Sequence, residues 1–159
     1  MHDEHKLFKM LILEGQQAGL SWQTILSKMD AMTEAYENFN PEILSNYDEQ
    51  KIEELLSDQR VIRNRLKIKA VIKNAKAYLK LKEEYGSLDS YIWSFVNNEP
   101  ILNSWSSIEE VPARTDLSDK ISKELKKKGF SFVGSTTVYA FMQSIGMVND
   151  HLLTCDFRI

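Results

Sequence analysis

The segment at residues 13–22 joins the first two predicted helices and reads LEGQQAGLSW. An apolar pattern of helical period leads into it and ends at Glu14. Gly15 and Gly19 bracket a break in that pattern, and a helix-capping serine then stands immediately before Trp22. The segment therefore predicts a tight, glycine-bounded turn that brings a carboxylate and an indole close together.

The pairing of Glu14 with Trp22 has two interpretations. In the first, the indole is a stacking surface for a flat, electron-poor ring, and a desolvated Glu14 accepts the N–H donors of that ring or balances its positive charge. In the second, Glu14 lies on a helix surface and Trp22 is an ordinary core residue. The residues alone leave both interpretations open.

Apolar residues recur at helical spacing through most of the chain, and residue types that cap helices precede these runs. The predicted caps are Asp3, Ser21, Asn40, Asp48, Ser87 and Ser118, and Ser135 is predicted to open the last long helix. Residues 97–113 have a loop-like composition that includes Pro100 and Pro112. No long alternating pattern and no βαβ unit is visible. The sequence therefore predicts an all-α fold.

Composition limits the class of protein. The chain has 159 residues, of which 43% are hydrophobic and 27% charged, as expected for one soluble globular domain over residues 1–159. No apolar run approaches the roughly 20 residues of a membrane span, and the N-terminus lacks a secretory signal pattern. The single cysteine excludes an internal disulfide framework and favours a cytoplasmic location.

The stretch from Arg60 to Lys82 concentrates positive charge in a chain whose net charge is −3. It contains no acidic residue, and its basic residues are Arg60, Arg63, Arg65, Lys67, Lys69, Lys73, Lys76, Lys80 and Lys82. The pattern predicts one helix that is cationic on one side and buried along Leu66, Ile68, Ala70, Ile72, Ala75 and Leu79. Such a local field favours a polyanion, although a charge run is usually a solvated helix face. The cluster Lys126–Lys128 either extends that surface or decorates a helix end.

His151 and Cys155 are four residues apart, a spacing at which two side chains on one helical turn reach the same zinc ion. A structural zinc site normally needs four ligands, however, and the chain has no second cysteine. A nucleophilic Cys155 would need a base and an oxyanion site, and His151 is the only candidate nearby. Chance spacing is the simpler interpretation of these residues alone.

Several familiar catalytic motifs do not occur in this sequence. It has no phosphate-binding glycine loop, dinucleotide fingerprint, nucleophile elbow or zinc-protease motif. What it does have is a candidate pocket at Glu14 and Trp22, a cationic face and a helical scaffold. Together these features suggest a protein that grips a nucleic acid and inspects a base.

Five segments in unbroken order resemble the DNA-3-methyladenine glycosylase I family. They read LEGQQAGLSW at 13–22, VIRNRLKI at 61–68, IWSFVN at 92–97, KKGFSFVGST at 127–136 and GMVNDH at 146–151. The resemblance runs from Asp3 to Cys155, which is nearly the whole chain.

The resemblance implies an all-α, helix-hairpin-helix glycosylase that releases 3-methyladenine from alkylated double-stranded DNA, without lyase activity and as a monomer. By the family pattern, Glu14 is the catalytic and base-binding carboxylate and Trp22 stacks on the base. We expect Glu14 to bind and stabilise the cationic base, with activation of water by Glu14 as the alternative. The turn at 61–64 and the helix after it would approach the DNA backbone through Arg63, Arg65, Lys67 and Lys69.

The resemblance also implies a structural zinc ion, and His151 and Cys155 match half of the family's zinc ligands. Family members supply the other half, together with part of the base pocket, from a segment ahead of the region that starts here at Met1. Two of the four expected ligands are therefore present in this chain. A non-catalytic DNA-binding relative that has lost part of the pocket is the alternative function.

Overall fold

Eight α-helices dominate the computed structural model, which describes residues 2–17, 22–105, 112 and 114–152. The side chains of Trp22, Ile25 and residues 103–105 and 149–152 lie outside that description. The elements in chain order are α1 (Glu4–Gln17), α2 (Trp22–Ala35), a 3₁₀ turn (Glu37–Phe39), α3 (Pro41–Leu44), α4 (Glu49–Leu56), α5 (Arg65–Tyr85), α6 (Leu88–Trp93), a second 3₁₀ turn (Ser94–Val96), β1 (Ile101–Trp105), α7 (Asp116–Lys127), α8 (Ser135–Ser144) and β2 (Val148–Leu152). The all-α prediction is confirmed.

Capping side chains start several of these helices at the predicted positions. Asn40, Asp48 and Ser87 each accept hydrogen bonds from main-chain N–H groups in the first turn of α3, α4 and α6. The start of α7 differs from the prediction, because Thr115 is its N-cap and Ser118 lies inside the helix. The hydroxyl of each of these two residues accepts a hydrogen bond from the main-chain N–H of the other, which is a capping box. Helix α7 therefore begins earlier than predicted.

A short parallel pair of strands joins two distant parts of the chain. Strand β1 pairs with β2 in a register that sets Ile101 opposite Val148 and Trp105 opposite Leu152. The loop-like prediction for residues 97–113 is therefore wrong over the length of β1. Local periodicity misses this pair because each strand has only five residues and the partner lies far along the sequence.

Helix α1 is a central element of the packing, since it contacts α2, α5, α6 and α8. Its apolar side chains with no more than 1% exposure are Leu7, Phe8, Leu11, Ile12 and Leu13. Burial of apolar surface is the dominant favourable contribution to folding, so these contacts fix the position of α1. The same packing carries the last turn of α1 into the interior beside α8.

Helix α5 has a buried face and a cationic face, as predicted, except that Leu66 is exposed and Lys67 is buried. Leu66 is 68% exposed, so it does not belong to the buried stripe. The predicted stripe is buried at Ile68, Ala70, Ile72 and Ala75, whereas the exposed face carries Lys69, Lys73, Lys76 and Lys80. Even this longest of the described helices is too rich in lysine to cross a bilayer, and no other helix in the described ranges is long and apolar enough.

Candidate active site

Glu14 lies in the last turn of α1, with its side chain inside the protein. The helix continues to Gln17, so the predicted end of the helical pattern at Glu14 is corrected. The residue is only 4% exposed, and the hydroxyl of Ser144 on α8 donates a 2.7 Å hydrogen bond to Glu14 Oε1. Burial raises the pKa of the Glu14 carboxyl, and the hydrogen bond from Ser144 lowers it in part.

The electrostatic environment of Glu14 favours a cationic ligand. Burial and the Ser144 hydrogen bond account for its pKa shift, and no cationic side chain in the described part of the chain contributes to it. A buried carboxylate without a counter-ion is costly to ionise, and a positive charge placed beside it reduces that cost. A cation placed beside Glu14 would therefore be stabilised more than a neutral molecule of the same shape.

Trp22 is the first residue of α2 and follows the last residue of α1, Gln17, by five positions in the sequence. Helices α1 and α2 pack against each other. The predicted turn with Gly19 and Ser21 falls in residues 18–21, which, like the Trp22 side chain, lie outside the described residues. The stacking role of Trp22 stays a prediction.

The connector between α7 and α8, residues 128–134, packs against α1 at Gly15, the residue after Glu14. A Cβ atom added to Gly15 would lie 3.2 Å from the carbonyl oxygen of Phe132 and 3.3 Å from its Cβ. The connector therefore meets α1 at the residue next to Glu14, where the close approach favours glycine. The sequence does not predict this contact between the connector and α1. The aromatic residues of the connector are the only local indication that the segment is packed.

Lys67 is not part of the exposed cationic surface, and its burial argues against the predicted contact with the DNA backbone. The residue is 6% exposed, and its Nζ donates to the main-chain oxygen of Gln16 across 2.8 Å. Gln16 Nε2 in turn donates to the main-chain oxygen of Lys67 across 3.0 Å. Burial lowers the pKa of the Lys67 ammonium. This reciprocal pair ties the start of α5 to the end of α1, two residues from Glu14.

The other three residues predicted to contact the DNA backbone are exposed near the start of α5. Arg63 precedes the helix, Arg65 is its first residue and Lys69 lies about one turn further on. Arg65 forms an ion pair with Glu53. Lys69 lines an open cavity of about 450 Å³ between α4 and α5, whose other cationic residues are Lys73 and Lys76. Arg65 and Lys69 thus lie beside α4, while the Gln16–Lys67 pair joins the start of the same helix, α5, to the end of α1.

The residues of the Lys126–Lys128 cluster have different surroundings. Lys127 pairs with Glu124 and Lys128 pairs with Glu84, so these two lysines decorate a helix end. Lys126 instead lines a cavity of about 290 Å³ beside the start of α8, together with Arg114 and Lys123. Lys127 and Lys128 also line a cavity with Lys80 of α5, whereas the Lys126 cavity contains no α5 residue, so continuity with the α5 cationic face is seen for Lys127 and Lys128.

The predicted zinc ligands are only partly covered by the structure. His151 belongs to β2, so the argument from a shared helical turn does not hold for it, and its side chain lies outside the described residues. Cys155 also lies outside them. Where side chains are described, no group of three or more His, Cys, Asp or Glu residues is arranged to hold a metal ion. Zinc binding stays a prediction.

Comparison with known proteins identifies relatives over the full length of this chain. The family model for methyladenine glycosylase matches residues 1–159. A DNA-3-methyladenine glycosylase of Haemophilus influenzae is 46% identical over 153 residues, which cover 96% of this chain and 83% of that protein.

Solved structures agree with the sequence relatives. A crystal structure of 3-methyladenine DNA glycosylase I matches with a TM-score of 0.96 and 42% identity, covering 100% of this chain and 87% of that one. A variant of 3-methyladenine DNA glycosylase I in complex with 3-methyladenine matches with a TM-score of 0.94 and 36% identity, covering 98% and 84%. The chain belongs to the methyladenine glycosylase family.

Proposed function

We propose that this protein excises 3-methyladenine from alkylated DNA as a free base, by hydrolysis of the N-glycosidic bond. Its relatives are named DNA-3-methyladenine glycosylases, and one similar structure is a complex with 3-methyladenine. The observation in this chain that carries the proposal is the buried Glu14 carboxylate, which no cation in the described residues compensates.

Glu14 acts in this proposal through its negative charge. Methylation at N3 makes adenine cationic, and its bond to C1′ of the deoxyribose is weakened. Water attacks C1′ as the bond from C1′ to N9 breaks, the electron pair of that bond leaves with the base, and the proton of water passes to solvent. Positive charge moves from the base to the sugar during this step, and a fixed carboxylate stabilises positive charge at both stages.

The damaged nucleotide must leave the base stack before Glu14 reaches it. Extrusion costs a few kcal/mol and is easiest for a damaged base, which contributes selectivity in its own right. The face of the Trp22 indole then stacks on the extruded base, while Glu14 discriminates the cation from neutral adenine. The two residues supply different parts of recognition, ring shape and charge.

Cations at the start of α5 bind the phosphates of the double-stranded substrate in this proposal. Arg63, Arg65 and Lys69 are exposed there. The Gln16–Lys67 pair holds the start of α5 beside the last helical turn of α1, which contains Glu14. Phosphate contacts position a protein on DNA without reading sequence. This agrees with a repair enzyme that must act on a damaged base in any sequence context.

Release of free 3-methyladenine from methylated duplex DNA, measured by chromatography, tests the proposed function. The wild-type protein should release the base. Glu14→Gln should lose roughly a hundredfold or more of that rate and retain its affinity for DNA. The matched control is Glu83→Gln, a neutralisation at an exposed position of α5, which should behave like the wild type. Duplex binding by the wild type without base release would identify the alternative, a non-catalytic DNA-binding relative.

Four further properties that the sequence predicts belong to the same proposal. They are a monomeric state, one domain, a cytoplasmic location and a structural zinc ion held in part by His151 and Cys155. Native mass and metal content, measured on the sample used for base release, test the first and the last. A dimer, or a folded and active protein without zinc, would remove the corresponding expectation.

A further inference from the structure

The hydroxyl of Ser144, at the end of α8, lies between two acceptors. Its Oγ atom is 2.7 Å from Glu14 Oε1 and 2.8 Å from the main-chain oxygen of Ala140. A serine hydroxyl has one proton, so it donates to one of these acceptors at a time. The carbonyl of Ala140 is also the acceptor of the α-helical N–H bond from Ser144. An ionised Glu14 is therefore the preferred acceptor, because a charge-assisted hydrogen bond is the stronger one.

The direction of this hydrogen bond depends on the charge of Glu14. An ionised carboxylate only accepts, so Ser144 donates to it. A protonated carboxyl has its own O–H, which donates to Ser144 Oγ while the serine proton turns to the Ala140 carbonyl. Both states are satisfied, but the bond to the ionised form is stronger, and Ser144 thereby favours the charged state of Glu14.

We propose that Ser144 is a positioning residue for base excision, which orients the Glu14 side chain and holds it in the ionised form that a cationic base requires. The inference rests on the proposed function, because it takes Glu14 to be the group that meets the base. It deepens that function by naming a residue on a different helix that favours the ionised form of Glu14 against the effect of burial. The effect of Ser144 on the pKa of Glu14, which is to lower it, has the required direction.

Several charged groups on the helices packed against α1 are engaged elsewhere, and Asp30 of α2 and the exposed lysines of α5 do not contribute to the pKa shift of Glu14. Lys67 of α5 donates to the main chain of α1, Asp89 of α6 pairs with a histidine, and Lys28 of α2 donates to a main-chain carbonyl. Glu34 of α2 pairs with an arginine. Helix α8 carries no charged residue, and its one tyrosine, Tyr139, is buried. Within the described residues, Ser144 is thus the group that favours ionisation of Glu14.

Ser144→Ala removes the hydroxyl at an exposed position, where a small truncation is tolerated by the fold. We expect kcat/KM for base release to fall about tenfold near neutral pH, the effect of one hydrogen bond to a charged group. The acidic limb of the pH profile should move to higher pH, because Glu14 ionises less readily without the donor. Raising the pH should restore most of the lost activity, which a merely structural defect would not allow.

Two further variants control for loss of packing. Ser144→Thr keeps the hydroxyl and should retain the wild-type pH profile. Ser45→Ala removes a hydroxyl that likewise donates to a helix carbonyl, that of Glu42, but that makes no contact with Glu14. This control should leave both kcat/KM and the pH profile unchanged.

A carbon-13 NMR titration of the Glu14 carboxyl measures the same effect without relying on excision. Its pKa should be higher in Ser144→Ala than in the wild type and unchanged in Ser144→Thr. An unshifted titration, or superimposable pH profiles for Ser144→Ala and wild type, would overturn the role of Ser144. Absence of base release by the wild type would overturn the proposed function instead, and full activity of Glu14→Gln would overturn the role of Glu14 in it. In either case the titration would still decide whether Ser144 favours the ionised form of Glu14.

Discussion

The side-chain amide of Asn74 satisfies both main-chain hydrogen-bonding groups of Ser131. Asn74 Nδ2 donates to the Ser131 carbonyl oxygen across 3.0 Å, and the Ser131 N–H donates to Asn74 Oδ1 across 2.7 Å. Asn74 is 3% exposed, so these bonds are largely shielded from water. One side chain on α5 therefore fixes the connector 128–134, whose next residue, Phe132, abuts Gly15, the residue after Glu14.

We expect Asn74→Asp to destabilise the protein, because a carboxylate accepts from the Ser131 N–H but cannot donate to its carbonyl. An unsatisfied buried polar group costs about 1–3 kcal/mol, and the drop in the free energy of unfolding should lie in that range by urea denaturation. Asn46→Asp is the matched control, since the Asn46 amide donates to one carbonyl at an exposed site. Equal stability of Asn74→Asp and wild type would contradict the structural role of this amide.

Gly15→Ala tests the close approach of the connector to α1. Alanine is favoured over glycine inside a helix by up to about 1 kcal/mol, but its Cβ would crowd the carbonyl oxygen and Cβ of Phe132. Overpacking typically costs about 1–3 kcal/mol, so we expect a net loss of roughly 1 kcal/mol and a larger loss for Gly15→Val. Thermal unfolding measures both. A stabilised Gly15→Ala variant would show that the connector shifts enough to accommodate the added Cβ.

The salt dependence of DNA binding should separate Lys67 from its exposed neighbours. Each phosphate contact contributes about 0.9 to the slope of log Kobs against log salt concentration. Neutralising Arg63 or Lys69 with glutamine should therefore reduce the slope by about one. Lys67→Met should leave the slope unchanged, because that ammonium is bonded to the main chain of Gln16. A reduced slope for Lys67→Met would instead mean that its side chain turns outward on binding.

The pH dependence of stability should reveal the cost of the buried Glu14 carboxylate. Its pKa is raised in the folded protein, so the folded state binds more protons than the unfolded state between the two pKa values. The stability of the wild type relative to Glu14→Gln should therefore fall as pH rises from about 4, the unfolded value, through the folded pKa, and then level off. Unfolding free energies of both proteins across that range check the sign. A rise in relative stability with pH would mean that the surroundings of Glu14 favour its ionised form over its protonated form.

Helices and most of their caps follow from local sequence, because an amphipathic run and its capping residue lie within a few positions of each other. Asn40, Asp48 and Ser87 were predicted on that basis and are confirmed. Thr115 and Ser118 show where the local argument fails. Both are suitable caps three residues apart, and the capping box they form makes either one a reasonable choice from sequence.

The burial of Lys67 illustrates a different failure. Lys67 shares its helical face with Val71, Asn74 and Tyr78, all of them buried, so spacing alone would place it inside. Residue type argues the other way, since lysine is rarely buried without a partner. Its partner is a carbonyl at the end of another helix, which no local pattern reveals. Ser144 could not be predicted for the same reason, because only the packing of α8 on α1 brings it to Glu14.

The hydrogen-bonded strand pair β1–β2 closes a loop that consists of the chain between the two strands. That loop contains α7, the connector and α8, and the ladder begins only four residues after Ser144. Formation of the ladder already costs the conformational entropy of closing this loop. The end of α8 therefore has less conformational freedom left to lose when it packs against α1. Fraying of the ladder should therefore loosen the hydroxyl at Glu14, and amide exchange of β2 and of the last turn of α8 should rise together.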